Sequence, residues 1–588
     1  MKEQKKQPMH PLHSSLPSEE QEVLEFFQYL YVPFEEWDEW DIGVHCVISY
    51  KIENGHVTTL YLRECSSKNH MNLPDSLKNL KYLQELGIYN CIVNPFQIHG
   101  LKYLRTLIFD ECLVKPFSEE IGSLENLEKI RFLGTTAENF PFEFFQSKKL
   151  IEFNLGHSKI INFDINSLGS FPNLQKLILD SWNIQEIPSF FTNLKLLKDL
   201  TLSGLNLPTI PSSLCNLPLD TLILSNTKTH TLPNDWKNLI DLKSFTFSEN
   251  PLSSKNLYEI RKLNHLKHLT LNGFDIENNF KWVSGVPKLG ELSLSNNRIK
   301  TLPSELSQLR MLKSIDLSFN KFDQFPQVLL ELKNLMRINI RHNKIKNIPK
   351  NIDSLSKLKF LDFGSNLLKS VPKSLKNLRN LKELQLFKNK LTRFPEIPPN
   401  LVSLNINNNN IEKVLVEKEN YTLENLGLIS NKITSDSLNI GKFRSLLTLE
   451  LNHNPLKEFP PSLRSLTRLE ELSMYGCQIS KIPSWIDGLE MLKELSININ
   501  MIKKLPESFF KLSNLRFLNL SENSIQEIPG NIDQLKHLTY LHLENNEITE
   551  LPSRILDLPV LMTIHLEGNP EIQNIEILRN HKSVYLCR

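Results

Sequence analysis

LKSIDLSFNKFDQFPQVLLELKN (residues 312–334), LMRINIRHNKIKNIPKNIDSLSK (335–357) and LKFLDFGSNLLKSVPKSLKNLRN (358–380) follow one another without a gap and repeat one pattern. The unit reads LxxLxLxxNxLxxLPxxLxxLxx, with a period of about 23 residues, and comparable units recur about 23 times between Val57 and Leu561. Positions four and six are apolar and alternate with polar neighbours, as in a strand with one buried face. The asparagine at position nine has both donors and an acceptor with which to bond the backbone of adjacent turns. In the second half, proline fixes φ and leucines three residues apart suit short 3-10 or helical turns. One unit cannot bury its leucines alone, whereas stacked units can.

The pattern resembles the leucine-rich-repeat family, in particular its intracellular class with an LPxx consensus, to which plant Ras-group-related and animal Ras-scaffold repeat proteins belong. The resemblance implies an α/β solenoid: a right-handed horseshoe of about 23 repeats with a parallel concave sheet and an irregular, 3-10 or helical convex side. It also implies small-GTPase or phosphatase partners, although no residue of the pattern selects them.

The expected organisation is a flexible N-terminal tail over residues 1–17, a helical and hairpin cap over 18–56, the solenoid over 57–570 and a C-terminal cap over 571–588. Ser18 and Gln21 suggest a capping box for a helix with Val23, Leu24, Phe27 and Leu30 or Tyr31 on one stripe. Val44, Cys46 and Ile48 alternate, and Asn54-Gly55 signals a hairpin leading into Val57. The rhythm breaks near 250–287, where SSKNLYEIRKLNHLKHL looks helical, Phe274 takes the ladder-asparagine position and Trp282 follows. It breaks again near 395–445, where a short unit around Pro398 resembles the repeats of bacterial effector proteins. A drifted convex side explains both breaks; a hinge or partner-specific bulge is the functional alternative.

The chain has 588 residues, 68 basic and 66 acidic, for a net charge of +2, so no global field draws it to nucleic acid or membrane. No apolar run is long enough for a membrane span, and the opening MKEQKKQPMHPLHSSLPSEE has no apolar core after its lysines. Seven cysteines, not clustered at the ends, suit a reducing, cytoplasmic location. Cys65, Cys91, Cys112 and Cys477 occupy the ladder position, where a buried thiol acts as a small apolar group, so neither disulfide nor metal is expected to be needed for folding. No phosphate-loop, zinc-protease, nucleophile-elbow or kinase signature occurs, which argues against an enzyme.

Function should lie on the concave face, reached by positions two, three, five, seven and eight. Between Leu312 and Leu381 these positions carry Phe319, Arg337, Arg341, His342, Lys359, Phe387 and Lys388 around Asp316, Asn339 and Asp362, an aromatic and basic mixture typical of hot spots. From Leu446 onward they carry Glu450, Glu470, Glu471, Glu494, Glu522, Glu544 and Glu567 against Lys493 and Arg516. The leading expectation is a protein-interaction scaffold, without cofactor, whose folded partner docks on the basic centre. A nucleic-acid binder stacking bases on Phe319 and Phe387 is the second reading. A metal-dependent activity at His542 and His565, with Glu544 and Glu567 two residues on, is the third.

Overall fold

The computed structural model describes residues 16–28, 47–63, 71–116, 124–138, 148–161, 165–181, 185–251, 254–274, 276, 280–579 and 585–587. Expectations for the tail up to residue 15, for Leu30, Tyr31, Val44, Cys46 and Cys65, and for residues 580–584 lie outside the described residues, as does the side chain of Phe27. The chain forms two compact units, Met1–Leu289 and Gly290–Arg588.

The first unit opens with helix α1 (Ser18–Gln28), which buries Val23 and Leu24. Ser18 begins the helix rather than preceding it, and Gln21 Nε2 donates to the Leu16 carbonyl at 2.7 Å. The buried Glu20 ties α1 to the first repeat, accepting the Val57 N–H at 2.8 Å and meeting His56 Nδ1 at 2.8 Å. Strands β1 (Val47–Glu53) and β2 (His56–Arg63) form the expected antiparallel hairpin, with Asn54 and Gly55 both at positive φ as a tight turn requires. Parallel strands then add one per repeat, from Glu85–Tyr89 through Asp199–Ser203 to His268–Asn272. A second, narrow sheet, not anticipated from the sequence, joins Met71–Asn72, Ile92–Asn94, Leu113–Val114, Thr136–Ala137 and Lys159–Ile160 on the return side.

The break after residue 250 holds a 3-10 helix, Ser254–Lys262, within the stretch expected to be helical. Phe274, in the ladder position, is buried and stacks on Phe247 at 5.3 Å between centroids, while Trp282 is fully buried. Both rings belong to the core.

The second unit repeats the pattern with shorter strands, such as Ser314–Asp316, Arg337–Asn339 and Phe360–Asp362. At several turns position five contributes to the difference. In the first unit it carries β-branched residues such as Ile178, Thr201, Ile223 and Thr246, which favour extended backbone and lie within five-residue strands. In the second unit Asp316, Asp362, Asn405 and Asn519 stand there, and each side chain accepts the N–H two residues on, which turns the chain out of the strand. The ladder asparagines behave as expected: Asn343 accepts the Phe322 N–H at 3.0 Å and donates to the Leu317 and Ile340 carbonyls, both at 3.0 Å. Pro303, Pro326 and Pro372 precede 3-10 turns on the return side. The second break replaces the proline turn with a short parallel pair, Val414–Leu415 and Leu438–Asn439. The unit ends on Glu576–Arg579 and on strand Tyr585–Cys587, parallel to Thr563–His565.

Candidate functional site

Register decides which side chains meet on the strand face. Ser314, Arg337 and Phe360 are consecutive partners at position three, and Asp316, Asn339 and Asp362 at position five. The Arg337 guanidinium lies 4.1 Å from the centroid of the Phe360 ring, a cation–π contact between adjacent turns. Phe360 was not singled out in the sequence, although position three is an exposed position and would have shown it. Phe319 and His342, both at position eight, stack at 4.2 Å with 9° between ring planes, and the Arg341 guanidinium stands 5.4 Å from the Phe319 centroid. Phe319, Arg341 and His342 therefore meet, Arg337 meets Phe360 of the neighbouring turn, and Lys359 and Lys388 are exposed.

Three expectations need correction. Asp362 is not a solvated polar residue but 4% exposed, with Oδ1 accepting the Gly364 N–H at 2.7 Å. Phe387 is only half-exposed, because its ring lies over Gly364, where an added Cβ would meet Phe387 Cε1 at 2.3 Å. Arg341 is half-buried, and its Nε is shielded from water with no hydrogen-bond partner among the described residues. Glycine at position seven lets the next turn's ring settle on the backbone, a pairing across 23 residues that no local pattern displays.

Burial pushes the Asp362 carboxyl up to about 6, opposed by the Gly364 N–H and by Arg341. Burial, with Arg341 and Lys388 adding to it, lowers the His342 imidazole, so this ring carries less charge than a free histidine. For Asp362 the folded value lies above the ordinary 3.8, so the folded state holds the proton more tightly than the unfolded one. The stability it contributes is complete below pH 3.8 and is lost as pH rises toward about 6. Asp362→Asn keeps an acceptor for Gly364 and removes the desolvated charge. Urea unfolding should therefore show the variant about 1–3 kcal/mol more stable at pH 7.5 and equal to wild type near pH 4. A constant difference across that range would contradict this assignment.

Phe319 is 44% exposed and has φ of 54°. Left-handed backbone at position eight is general: other turns fill it with Asn296, Ser365, Asn408, Asn545 or Gly568, and also with Glu111, Glu249, His342, Lys388 and Glu522. Asparagine and glycine tolerate that region, whereas a phenyl side chain there costs about 1 kcal/mol. Ile499, also at position eight, is a second such residue, β-branched and 43% exposed.

The acidic end is less uniform than its charge count. Glu470 pairs with Lys493 at 2.6 Å, and Glu471 accepts the Thr448 hydroxyl at 3.2 Å. Glu450 lies 3.4 Å from Asn407 Nδ2, and Glu494 and Glu522 are exposed. Ladder cysteines act as substitute donors: Cys112 Sγ reaches the Ile88 and Asp110 carbonyls at 3.3 Å, and Cys477 Sγ the Leu451 carbonyl at 3.2 Å. Burial raises the Cys112 thiol to about 12 and that of Cys477 to about 11.

Comparison with known proteins gives the same architecture. The family described as leucine-rich repeat region matches residues 275–393 and 506–585, and a single leucine-rich repeat matches 468–489. Among solved structures, the chain is similar to a leucine-rich-repeat protein of Leptospira interrogans, with 29% identity, 73% of this chain and 93% of that chain covered, and a TM-score of 0.44. It is also similar to the protein of the TLR13–ssRNA13 complex, with 20% identity, 88% and 90% covered and a TM-score of 0.60. The PEPR1–AtPEP1 structure shows 20% identity, 96% and 94% covered and a TM-score of 0.50. The two structures at 20% identity bear on the fold alone. No curated protein matches the chain. Among the described residues, no helix is long and apolar enough to cross a membrane.

Proposed function

We propose, from the premise that the chain is a leucine-rich-repeat protein, that it is a non-enzymatic scaffold that docks a folded protein partner on the strand face between Leu312 and Lys388. Repeat solenoids offer broad, rigid surfaces whose outward positions are free to vary, and proteins are their usual ligands. One observation carries the location. Phe319 leaves nearly half the area of a large apolar ring in water on the strand face, exposure that a partner would cover. The LPxx resemblance suggests a small GTPase or a phosphatase as the partner class, and the buried thiols Cys91, Cys112, Cys215 and Cys477 suit a reducing cytoplasm.

The nucleic-acid reading is weaker than the rings first suggested. One face of Phe319 is covered by His342, and Phe387 rests on Gly364, so neither is a two-sided stacking platform.

The test replaces Phe319 by asparagine, which suits left-handed backbone, alone and together with Arg337→Ala. Stability should stay within about 1 kcal/mol of wild type or rise, while retention of the natural partner in affinity capture from the source cell should fall by about 1–3 kcal/mol, roughly tenfold to a hundredfold. Equal retention of the same protein by wild type and the double variant would place docking elsewhere.

A further inference from the structure

The docking proposal makes no use of the cluster at the far end of the second unit. We propose that His542, Glu544, His565 and Glu567 bind one divalent transition-metal ion of the zinc class.

The repeat itself builds the site. Strands Tyr540–His542 and Thr563–His565 pair in parallel with His542 opposite His565, so the two imidazoles stack at 4.4 Å with 9° between planes. Each glutamate follows its histidine by two residues and projects from the same face. The Glu544 carboxylate sits at the Nδ1 edges of both rings: its Oε1 is 3.0 Å from His542 Nδ1 and 3.7 Å from His565 Nδ1. Glu567 Oε1 stands 3.8 Å from His565 Nδ1. Ligand atoms of His542, Glu544 and His565 all fall within 4.8 Å of one another. Zinc–ligand bonds of about 2.0–2.2 Å in a tetrahedron place ligand atoms about 3.3 Å apart, so small side-chain rotations bring these atoms onto one ion.

A second observation points the same way. Oε2 of Glu544 and Oε2 of Glu567 are both shielded from solvent and accept no hydrogen bond among the described residues. A carboxylate oxygen removed from water without a donor is costly, and a cation is the partner that would satisfy it. The Phe517 ring lies 5.3 Å from His542 and walls one side. Two imidazoles with two carboxylates suit zinc, nickel or cobalt; magnesium and calcium take oxygen ligands and are disfavoured. The histidine side chains keep 23% and 26% exposure, so an ion can enter without opening the fold.

Titration calorimetry of the full chain with Zn2+ in non-chelating buffer at pH 7.5 tests the site. One Zn2+ per chain should bind with a micromolar or tighter Kd, and one equivalent of Co2+ should give visible d–d absorption. His542→Ala and His565→Ala should each weaken Zn2+ binding by about tenfold or more, and His453→Ala, outside the cluster, should leave it unchanged. Glu544→Gln, closest to isosteric, should weaken it similarly and serves if an alanine variant does not fold. Absence of saturable Zn2+ binding in the wild type up to about 1 mM would overturn the proposal. So would binding unchanged in the histidine variants, or Ca2+ binding as tight as Zn2+.

Discussion

Truncating Trp282 to alanine should destabilise the first unit by about 3–5 kcal/mol, one of the two largest single-residue effects expected in this chain. The indole is fully buried, its centroid 6.1 Å from the Phe280 ring, and Val283 and Val286 are buried beside it in sequence. It stands where the proline turn has been lost, so one large ring fills volume that the regular unit fills with leucines. The neighbouring backbone cannot close over the resulting cavity. Gly285 already lies so near Arg261 that an added Cβ would sit 2.0 Å from the Arg261 carbonyl oxygen, so these turns are in direct backbone contact. In a repeat array stability is a sum of local and nearest-neighbour terms, and the loss should be local. Hydrogen exchange should speed up at the amides of His268–Asn272 and Val283–Leu289, while those of Ser314–Asp316 keep their protection. The exposed Lys281→Ala is the control, and equal exchange in both variants would show that Trp282 does not hold this segment.

What was legible in the sequence follows the same logic of locality. Leu312, Ile315, Leu317, Asn320 and Phe322 are each placed by their position in a unit that recurs with little change, so strand, ladder and turn could all be read. Arg337 and Phe360, or Phe319 and His342, meet only because 23 residues separate equivalent positions, so their contacts needed register as well as period. Asp362 was misjudged for a deeper reason. Position five is open to water in the adjacent Asn339 turn, and becomes buried when position seven is glycine and the following turn offers a phenyl ring. Environment there depends on two consecutive units at once. The histidine–glutamate cluster was visible as a coincidence of positions, while the shielding of its two outer carboxylate oxygens was not.

Asn366→Ala should cost about 2–4 kcal/mol, because one side chain satisfies several buried backbone groups. Its Oδ1 accepts the Ile345 N–H at 3.0 Å, and its Nδ2 donates to the carbonyls of Ile340 at 3.0 Å, Phe363 at 3.1 Å and Gly364 at 3.4 Å. Alanine leaves these groups unpaired in a site that is 4% exposed, where water reaches them only if the turn opens. Asn366→Asp keeps the acceptor for Ile345 but loses the donors and adds a buried charge, so it should be no milder than alanine. Cysteine is the informative substitution, since Cys477 holds the same position in its own unit. There the preceding turn is rebuilt: the Leu456 N–H, which would otherwise seek the ladder side chain, donates to the Asn454 carbonyl at 2.8 Å, and Lys457 takes φ of 65°. The turn before Asn366 has no such arrangement, because its Ile345 N–H depends on Oδ1. Asn366→Cys should therefore recover less than half of the alanine loss, and the Ile345 amide should lose exchange protection in all three variants. Full stability in the cysteine variant, with Ile345 still protected, would mean that the backbone rearranges freely and that the ladder amide is not what holds adjacent turns together.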